Sequence, residues 1–422
     1  MPGVQVVAVT KSGTNHLHGD IFEFLRNDKL DAVNYFAQSN TPYKRNEYGG
    51  TVGGPVYIPH VWNGKDKAWF FVSYQMDSIR QFAALTGVVP TDQEKQGIFS
   101  TPIIDPTTGQ PFANNTIPSD RISMVAQKFL QFWPEPNTAG PLNFTSPNTS
   151  VAVDSPQWMS RADFDRSQTD RWMAQFIWAS DPFAGANVIS GFSYHLPLSS
   201  VVASLANTRT FSNKYVNEAG IHFYRRPYIL EANNLGCSFS ATLGIPQLVS
   251  DGVDKCGVPL VNVQGIAGLG SFSVIGPVIV GNWFIKDHLS FQQGSHSLKM
   301  GVDFLRSFNP ILEQSRSLFD FSGRYSGNGM ADFLLGYPDY TRAGGTALQE
   351  NLNESSVFFY LQDDWKATPK LNLSLGIRYE WRLPWKDKYG FSTNFNPVTG
   401  ELDPALNPQT GLFPPNQPLV KF

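Results

Sequence analysis

The residues of this chain that could carry chemistry are dispersed, and none of them forms a known catalytic pattern. The sequence has no HExxH zinc-binding pattern, no GxSxG nucleophile motif and no GxxxxGK[ST] phosphate loop. Its seven histidines show no metal-ligand spacing. Asp363 and Asp364 are adjacent, but neighbours on a strand point to opposite faces and cannot act as a carboxylate pair. We therefore expect neither an enzyme nor a metal or cofactor site.

A better set of candidates consists of charged side chains on the polar faces of predicted β-strands. These candidates are Lys286, His288, Lys299, Asp303, Asp364, Arg378 and Glu380. Two interpretations remain open for them. They could form ion pairs with one another, or they could contact a substrate.

The strands that would hold these residues are long. Residues 371–382 (LNLSLGIRYEWR) alternate apolar and polar side chains, a period of two that predicts a strand. Globular strands usually have about five to six residues, whereas a tilted transmembrane strand needs about nine to eleven. The apolar face ends in Tyr379 and Trp381, ring types that favour a membrane–water interface. A short link, residues 367–370, joins this strand to another at 357–365 and predicts a long hairpin.

The composition is that of an all-β protein with long loops. Among 422 residues, 14% are aromatic and 16% are charged, against roughly 25% charged in ordinary globular domains. Glycine (36) and proline (30) are abundant turn-formers. A net charge of −3 gives no basic surface for nucleic acid. No apolar run is long enough for a transmembrane helix, but barrel strands have a weaker hydropathy signal.

Connections between the predicted strands alternate in length. The short ones lie near 58–66, 166–170, 212–214, 293–295 and 367–370, and the long ones near 27–43, 81–155, 181–200, 226–281 and 307–354. This alternation along about eleven strands predicts an antiparallel transmembrane β-barrel, with all long loops at one extracellular rim.

Strict alternation also predicts which side chains face lipid. These are Trp172, Phe176, Leu298, Val302, Leu373, Leu375 and Ile377.

Two features of the long loops carry separate predictions. Residues Asp120 to Trp133 have apolar side chains at helical spacing, which predicts a helix capped by Ser119 that packs inside its own loop. The loop aromatics Trp133, Phe144 and Tyr340 either bind ligand or pack within the loops. Cys237 and Cys256 could form a loop disulfide in an oxidising compartment or remain two free thiols.

Several stretches together resemble a known family. They include VTKSGTNHLHGDIFEFLRND (9–28), RNEYGGTVGGPV (45–56), HSLKMGVDFLR (296–306), MADFLLGYP (330–338) and YLQDDWKATPKLNLSLGIRYEW (360–381). This combination resembles TonB-dependent outer-membrane receptors of the Oar-like, acidobacterial group, which carry a carboxypeptidase-regulatory-like domain. The resemblance implies the outer membrane of a Gram-negative bacterium, contact with its lipid, and energy supplied by TonB with ExbB and ExbD.

The resemblance also implies a division of the chain. Residues 1–15 would be the tail of the plug domain, and residues 16–422 the N-terminal half of a 22-stranded barrel, with the signal peptide missing. An odd number of about eleven strands predicts an open, curved half-barrel whose edges are the strands near 18–26 and 371–382. In such a barrel the charged candidates would face the lumen and contact the plug or a substrate.

Three functions are compatible with the sequence. The first is energised uptake of a large or scarce extracellular ligand, such as an oligosaccharide, a siderophore or a peptide. The second is an Oar-type role in surface adhesion or protein export. The third is a secreted all-β enzyme.

Overall fold

The computed structural model describes residues 9–33, 40–82, 84–146, 150–232, 258–270, 274–314, 317–342, 348–388, 393–396 and 398–404. Within this part of the chain, no helix is long and apolar enough to cross a membrane.

One large antiparallel sheet organises the structure. Eleven strands follow each other in sequence order, and each one hydrogen-bonds to the next. Named β1 to β11, they are His18–Asn27, Tyr43–Pro55, Ala68–Phe82, Ser150–Ser167, Asp170–Ser180, Ser199–Thr210, Tyr215–Ala232, Val274–Gln293, His296–Gln314, Leu348–Thr368 and Leu371–Arg382. The predicted fold class and strand number are confirmed.

Several strands are longer than the sequence predicts. Strands extend into three of the predicted long connections, 81–155, 226–281 and 307–354. In the structure β4 starts at Ser150, β7 continues to Ala232 and β10 starts at Leu348. Prolines lie in the extended parts of β4, β7, β8 and β9, at Pro156, Pro227, Pro277 and Pro310. Proline has no backbone N–H to donate to the hydrogen bonds of a sheet. A proline in the sequence therefore argues against a strand at that position.

All long connections lie at the same end of the sheet. Consecutive antiparallel strands place their connections alternately at two rims. Residues 56–67, 168–169, 211–214, 294–295 and 369–370 join strands at one end, which we call the short-turn rim. Residues 28–42, 83–149, 181–198, 233–273 and 315–347 join them at the other, the long-loop rim. The predicted separation of short and long connections is confirmed.

The two faces of the sheet differ in polarity. One cross-strand row passes from Leu205 through Ile221 and Ile285 to Phe304 and Val357. This apolar face is largely exposed, with Ile285 43% and Ile377 69% accessible. The pairing register places all seven side chains predicted to face lipid on it. The opposite, polar face carries the charged candidates.

The sheet is open. Among the described residues, β1 pairs with β2 alone and β11 with β10 alone. The predicted edges are therefore confirmed, and the sheet is a partial barrel.

The long loops fold together into one compact unit, which we call the cap (residues 84–146, 183–196, 258–270 and 317–342). It contains helices α1 Asp92–Lys95, α2 Met124–Leu130 and α3 Gly329–Leu335. A three-stranded sheet is formed by Leu260–Val263, Leu318–Phe321 and Tyr340–Arg342. Residues from four separate loops share one hydrophobic core, including Phe129, Ile189, Val261, Phe321 and Phe333.

Short pairs of strands and four 3₁₀ turns complete the described structure. Tyr57–Ile58 pairs with Trp62–Asn63, Thr86–Gly87 with Phe144–Thr145, Phe183–Gly185 with Tyr194–Leu196, and Thr393–Asn396 with Glu401–Pro404, while Lys386–Asp387 joins β10. The 3₁₀ turns are Asp28–Leu30, Ala113–Asn115, Ser119–Arg121 and Ser190–Phe192.

The helix predicted at 120–133 is shorter than expected. Ser119–Arg121 is a 3₁₀ turn, and α2 starts after Ser123, whose hydroxyl accepts from the Ala126 N–H. The helix segment is buried, but its packing is not confined to its own loop as predicted, because Trp133, 2% exposed, donates from Nε1 to the Ala267 carbonyl of another loop at 2.7 Å. Phe144 is also buried, and Tyr340 is exposed.

A buried carboxylate holds α3 in the cap. Asn328 caps the helix by accepting from the Met330 and Ala331 N–H groups. Asp332, fully buried, accepts from the Ser326 N–H at 2.7 Å and the Tyr325 N–H at 3.1 Å. Because Ser326 is fully buried, its N–H depends on Asp332 for a partner.

We expect Asp332→Ala to destabilise the cap by about 3 kcal/mol, since it leaves the buried Ser326 N–H without an acceptor. Amide hydrogen exchange of α2 and α3 measures this local stability. Asp120→Ala, at an exposed position of another loop of the cap, is the control and should change exchange little. Equal protection in both variants would contradict the assigned role of Asp332.

An ion pair stabilises another part of the cap. The Arg121 guanidinium donates to both carboxylate oxygens of Asp105, at 3.0 and 3.1 Å. The Thr107 N–H and hydroxyl add bonds of 2.9 and 2.7 Å. Hydrogen bonding by Arg121 first, and then by Thr107, lowers the pKa of Asp105 to about 2.

This lowered pKa predicts an acid-labile contribution to the cap. The folded pKa lies below the ordinary value of about 3.9, so the stabilisation is complete above pH 4 and is lost as the pH falls to about 2. Amide protection of the cap is measured by hydrogen exchange from pH 5 to pH 2. It should fall more steeply with decreasing pH in the native chain than in Asp105→Asn. Parallel profiles would contradict this prediction.

Candidate functional site

The polar face brings the predicted charged residues into two neighbouring rows across β8 to β11. One row contains Lys286, Asp303, Phe358 and Glu380 in register. The next contains His288, Gly301, Tyr360 and Arg378. Four strands that are distant in sequence therefore place their alternating polar side chains side by side.

His288 and Asp303 form the most enclosed contact in these rows. His288 Nε2 lies 2.7 Å from Asp303 Oδ1, and Asp303 is 9% exposed. The His288 ring meets the Tyr360 ring edge-on at 5.2 Å. Gly301 permits this contact, because an added Cβ would lie 2.4 Å from His288 and 2.5 Å from Tyr360. This contact fixes the imidazole and uses one carboxylate oxygen of Asp303.

Arg378 and Glu380 belong to a second cluster at the edge strand. Arg378 Nε donates to Glu380 Oε1 at 2.8 Å, and Arg382 donates to Glu380 Oε2 at 2.8 Å. Both guanidinium groups lie over the Phe358 ring, 5.5 Å from its centre. The cluster is solvent-accessible, so its ion pairs contribute little to stability.

The two adjacent aspartates point to opposite faces, as predicted. Asp364 lies on the polar face, where the Ser374 hydroxyl donates to it at 2.7 Å. Asp363 lies on the apolar face near the short-turn rim, 2.6 Å from His296 Nδ1. The His296 ring stacks on Trp365 at 5.2 Å. These two carboxylates therefore belong to different surfaces.

The two lysines among the candidates differ from the other members. Lys286 and Lys299 form no ion pair or hydrogen bond within the described ranges, whereas His288, Asp303, Asp364, Arg378 and Glu380 all do. Mutual pairing thus accounts for four of the seven candidates, Asp364 is held by the Ser374 hydroxyl, and contact with a ligand stays a prediction. The predicted Cys237–Cys256 disulfide lies outside the described residues.

A segment before β1 also lies against the polar face, and the sequence patterns did not reveal its contacts. Asn15 Oδ1 accepts from the Asp66 N–H at 2.9 Å and from Trp69 Nε1 at 2.8 Å. Arg161 Nη1 donates to the Thr10 carbonyl at 2.9 Å. An added Cβ at Gly13 would lie 2.3 Å from the Phe70 carbonyl oxygen, so only glycine allows this close approach.

A polar cavity of about 650 Å³ lies beside this segment. Asn15, Trp69, Arg161, Asp163 and Arg171 are among its lining residues. Arg161 is held by Asp163 at 2.7 Å, and Arg171 lies 3.5 Å from Asp165. The sequence patterns give no sign of these contacts, because hydrogen bonds to distant strands leave no periodic signal.

A family model described as an outer membrane beta barrel domain matches residues 9–419. The chain belongs to this outer-membrane β-barrel family. Its location is therefore the outer membrane, which is inconsistent with a secreted enzyme.

Solved structures with a similar fold include outer-membrane transporters. The outer membrane transporter YddB from Escherichia coli is 9% identical, with a TM-score of 0.43, over 82% of this chain and 35% of that one. The FrpB iron transporter from Neisseria meningitidis (F3-3 variant) is 9% identical, with a TM-score of 0.35, over 87% of this chain and 53% of that one. The chain thus spans about a third to a half of these structures. No curated protein matches the sequence.

In an outer-membrane β-barrel, the exposed apolar face contacts lipid. Aromatic side chains occur on this face towards both rims, as the interfacial girdles of such barrels require. Trp172, Tyr215, Phe291 and Trp365 lie near the short-turn rim, and Tyr379 and Trp381 lie near the other end of β11.

We expect Leu205→Arg to destabilise the folded barrel by about 2–4 kcal/mol, because it places a charge against lipid on the apolar face. Ala206→Arg, the next residue, is the matched control. It points to the polar face, where Ala206 lines the 650 Å³ cavity and a longer side chain has room. Urea unfolding in lipid vesicles measures the difference, and a larger loss for Ala206→Arg would reverse the assignment of the faces.

Proposed function

We propose that the protein is a TonB-dependent receptor of the Oar-like group that takes up a large or scarce extracellular ligand. TonB with ExbB and ExbD would supply the energy. The ligand class is an oligosaccharide, a siderophore or a peptide. Residues 1–15 would be the tail of a plug domain, and the eleven strands would be half of a larger barrel.

The segment on the polar face is the observation that carries this proposal. Residues 10–15 enter the side of the sheet that faces away from lipid, and Asn15 and Arg161 hold them there. A chain that precedes β1 and runs along the interior is expected when a domain fills the barrel. An open, diffusive pore would not need such an anchored segment.

The cap supports the same proposal from the other rim. Its core joins residues of four loops, so the loops cannot close independently over the barrel. A compact cap on the long-loop rim offers a preformed surface for a large ligand. A complete barrel that is filled by a plug and carries such a cap would need energy to pass a bulky molecule, which is the reason for coupling to TonB.

Energised uptake makes a clear prediction in cells. Labelled oligosaccharides, siderophores and peptides are screened for binding to cells that express the protein, and the ligand that binds is then followed into the periplasm. A protonophore or deletion of tonB should abolish entry and leave surface binding unchanged. Entry that persists without proton-motive force would overturn the proposal.

Two arginines that line the same cavity provide matched variants for the anchoring step. Arg161→Gln removes the bond to Thr10, whereas Arg171→Gln removes only the exposed pair with Asp165. Arg161→Gln should release residues 10–15 from the polar face. A bulky antibiotic that the barrel otherwise excludes should then pass through it and enter the cell. Arg171→Gln should leave antibiotic sensitivity unchanged, and equal sensitivity in both would contradict the anchoring role.

The compact cap also favours one alternative, surface adhesion or protein export of the Oar type. In that case the cap would bind a partner at the cell surface without ligand entry. Binding that survives a protonophore, with no accumulation of any ligand in the periplasm, would support this alternative.

A further inference from the structure

We propose that the polar face contains a binding site for a single oxyanion, a carboxylate or a phosphate group, above Gly220 on β7. The side chains of Lys286 on β8 and His222 on β7, each with a nitrogen donor, meet over this glycine. The inference deepens the proposed function, on which it rests for the source of the anion, namely an acidic group of the ligand.

The space above Gly220 is defined by the side chains around it. A methyl group added at Gly220 would lie 3.1 Å from His222 Nε2 and 3.3 Å from Lys286 Cε. The imidazole and the Lys286 stem therefore approach each other over Gly220 more closely than a larger residue at this position would allow. His222 and Lys286 are half-buried, and Phe284 lies beside the imidazole at 6.0 Å between ring centres.

The histidine is oriented by a third strand. His222 Nδ1 lies 3.0 Å from the Ser204 hydroxyl on β6. When that hydroxyl donates to Nδ1, the proton of the neutral ring is on Nε2, which then points a donor to the space above Gly220. The protonated ring also presents a donor there.

Neither donor is used within the protein. Asp303 faces Lys286 in register but is hydrogen-bonded to His288 and forms no ion pair with the lysine. Within the described part of the chain, neither Lys286 Nζ nor His222 Nε2 has a hydrogen-bond acceptor. A half-buried ammonium next to an imidazole donor is most stable with an anion between them, because charge-assisted hydrogen bonds are the strong ones.

Binding of simple anions tests the site directly. The full chain in detergent micelles, labelled with ¹³C at histidine, is titrated separately with inorganic phosphate and with acetate. The His222 Cε1–H resonance, assigned with His222→Gln, should shift saturably with at least one of them, and the stronger binder identifies the preferred group. A linear, non-saturating response to both anions would overturn the proposal.

Matched variants show whether the binding is local. Lys286→Gln should weaken binding at least about tenfold, since it removes a charge-assisted bond. Gly220→Val should abolish binding, because its side chain would push the imidazole and the lysine stem apart. Lys299→Gln removes another lysine of the polar face that forms no ion pair among the described residues, and Gly376→Ala adds a methyl where the nearest atom is 3.6 Å away. Both controls should bind like the native chain.

The outcomes separate this site from the proposed uptake. If Lys299→Gln weakens binding as much as Lys286→Gln does, the effect is general attraction to a basic surface and the site is rejected. If the anion binds as expected but no ligand enters cells, the site stands and energised uptake fails. If uptake is found but neither anion binds, the uptake stands and the site fails.

Discussion

The structure depends on one constraint: in lipid, every backbone N–H and C=O group must find its partner within the protein. Eleven consecutive antiparallel strands satisfy this requirement through a continuous ladder from β1 to β11. The two outer strands still present unpaired groups, and a strand edge exposed in this way is unstable in a membrane. Further strands that pair with both edges are therefore needed for a closed barrel, and their number must be odd if all neighbours are antiparallel.

The ladder also explains the chemistry of the two faces. Because side chains alternate, a lipid-exposed strand must offer apolar groups on one side while the other side remains free to vary. That freedom permits charged residues such as Asp303 and Arg378 to accumulate on the polar face. Most of them pair with neighbours, so ion pairs stabilise the interior surface. Lys286 and Lys299 are exceptions among the described residues, because neither side chain forms an ion pair.

The cap illustrates a different solution to the same energetic problem. Long loops cannot bury much apolar surface individually, but four of them together enclose Trp133, Phe333 and their neighbours in a shared core. The edge-to-face contact of these two rings, 5.2 Å apart, joins the first loop of the cap to the last. The loops of the cap therefore share one core and do not fold as separate units.

The sequence alone determined the strands and their faces, because an alternating pattern such as residues 371–382 has only one compatible secondary structure and places Ile377 opposite Arg378. It could not determine the cap, since the contacts of Trp133 with Ala267 and Phe333 join segments more than a hundred residues apart. The sequence did not predict the strand extensions that contain proline for a related reason. Pairing with neighbouring strands outweighs the local preference of Pro156 and Pro310 against a strand. The register of three strands brings Lys286, His222 and Ser204 together. No single stretch of the sequence contains the information that sets this register.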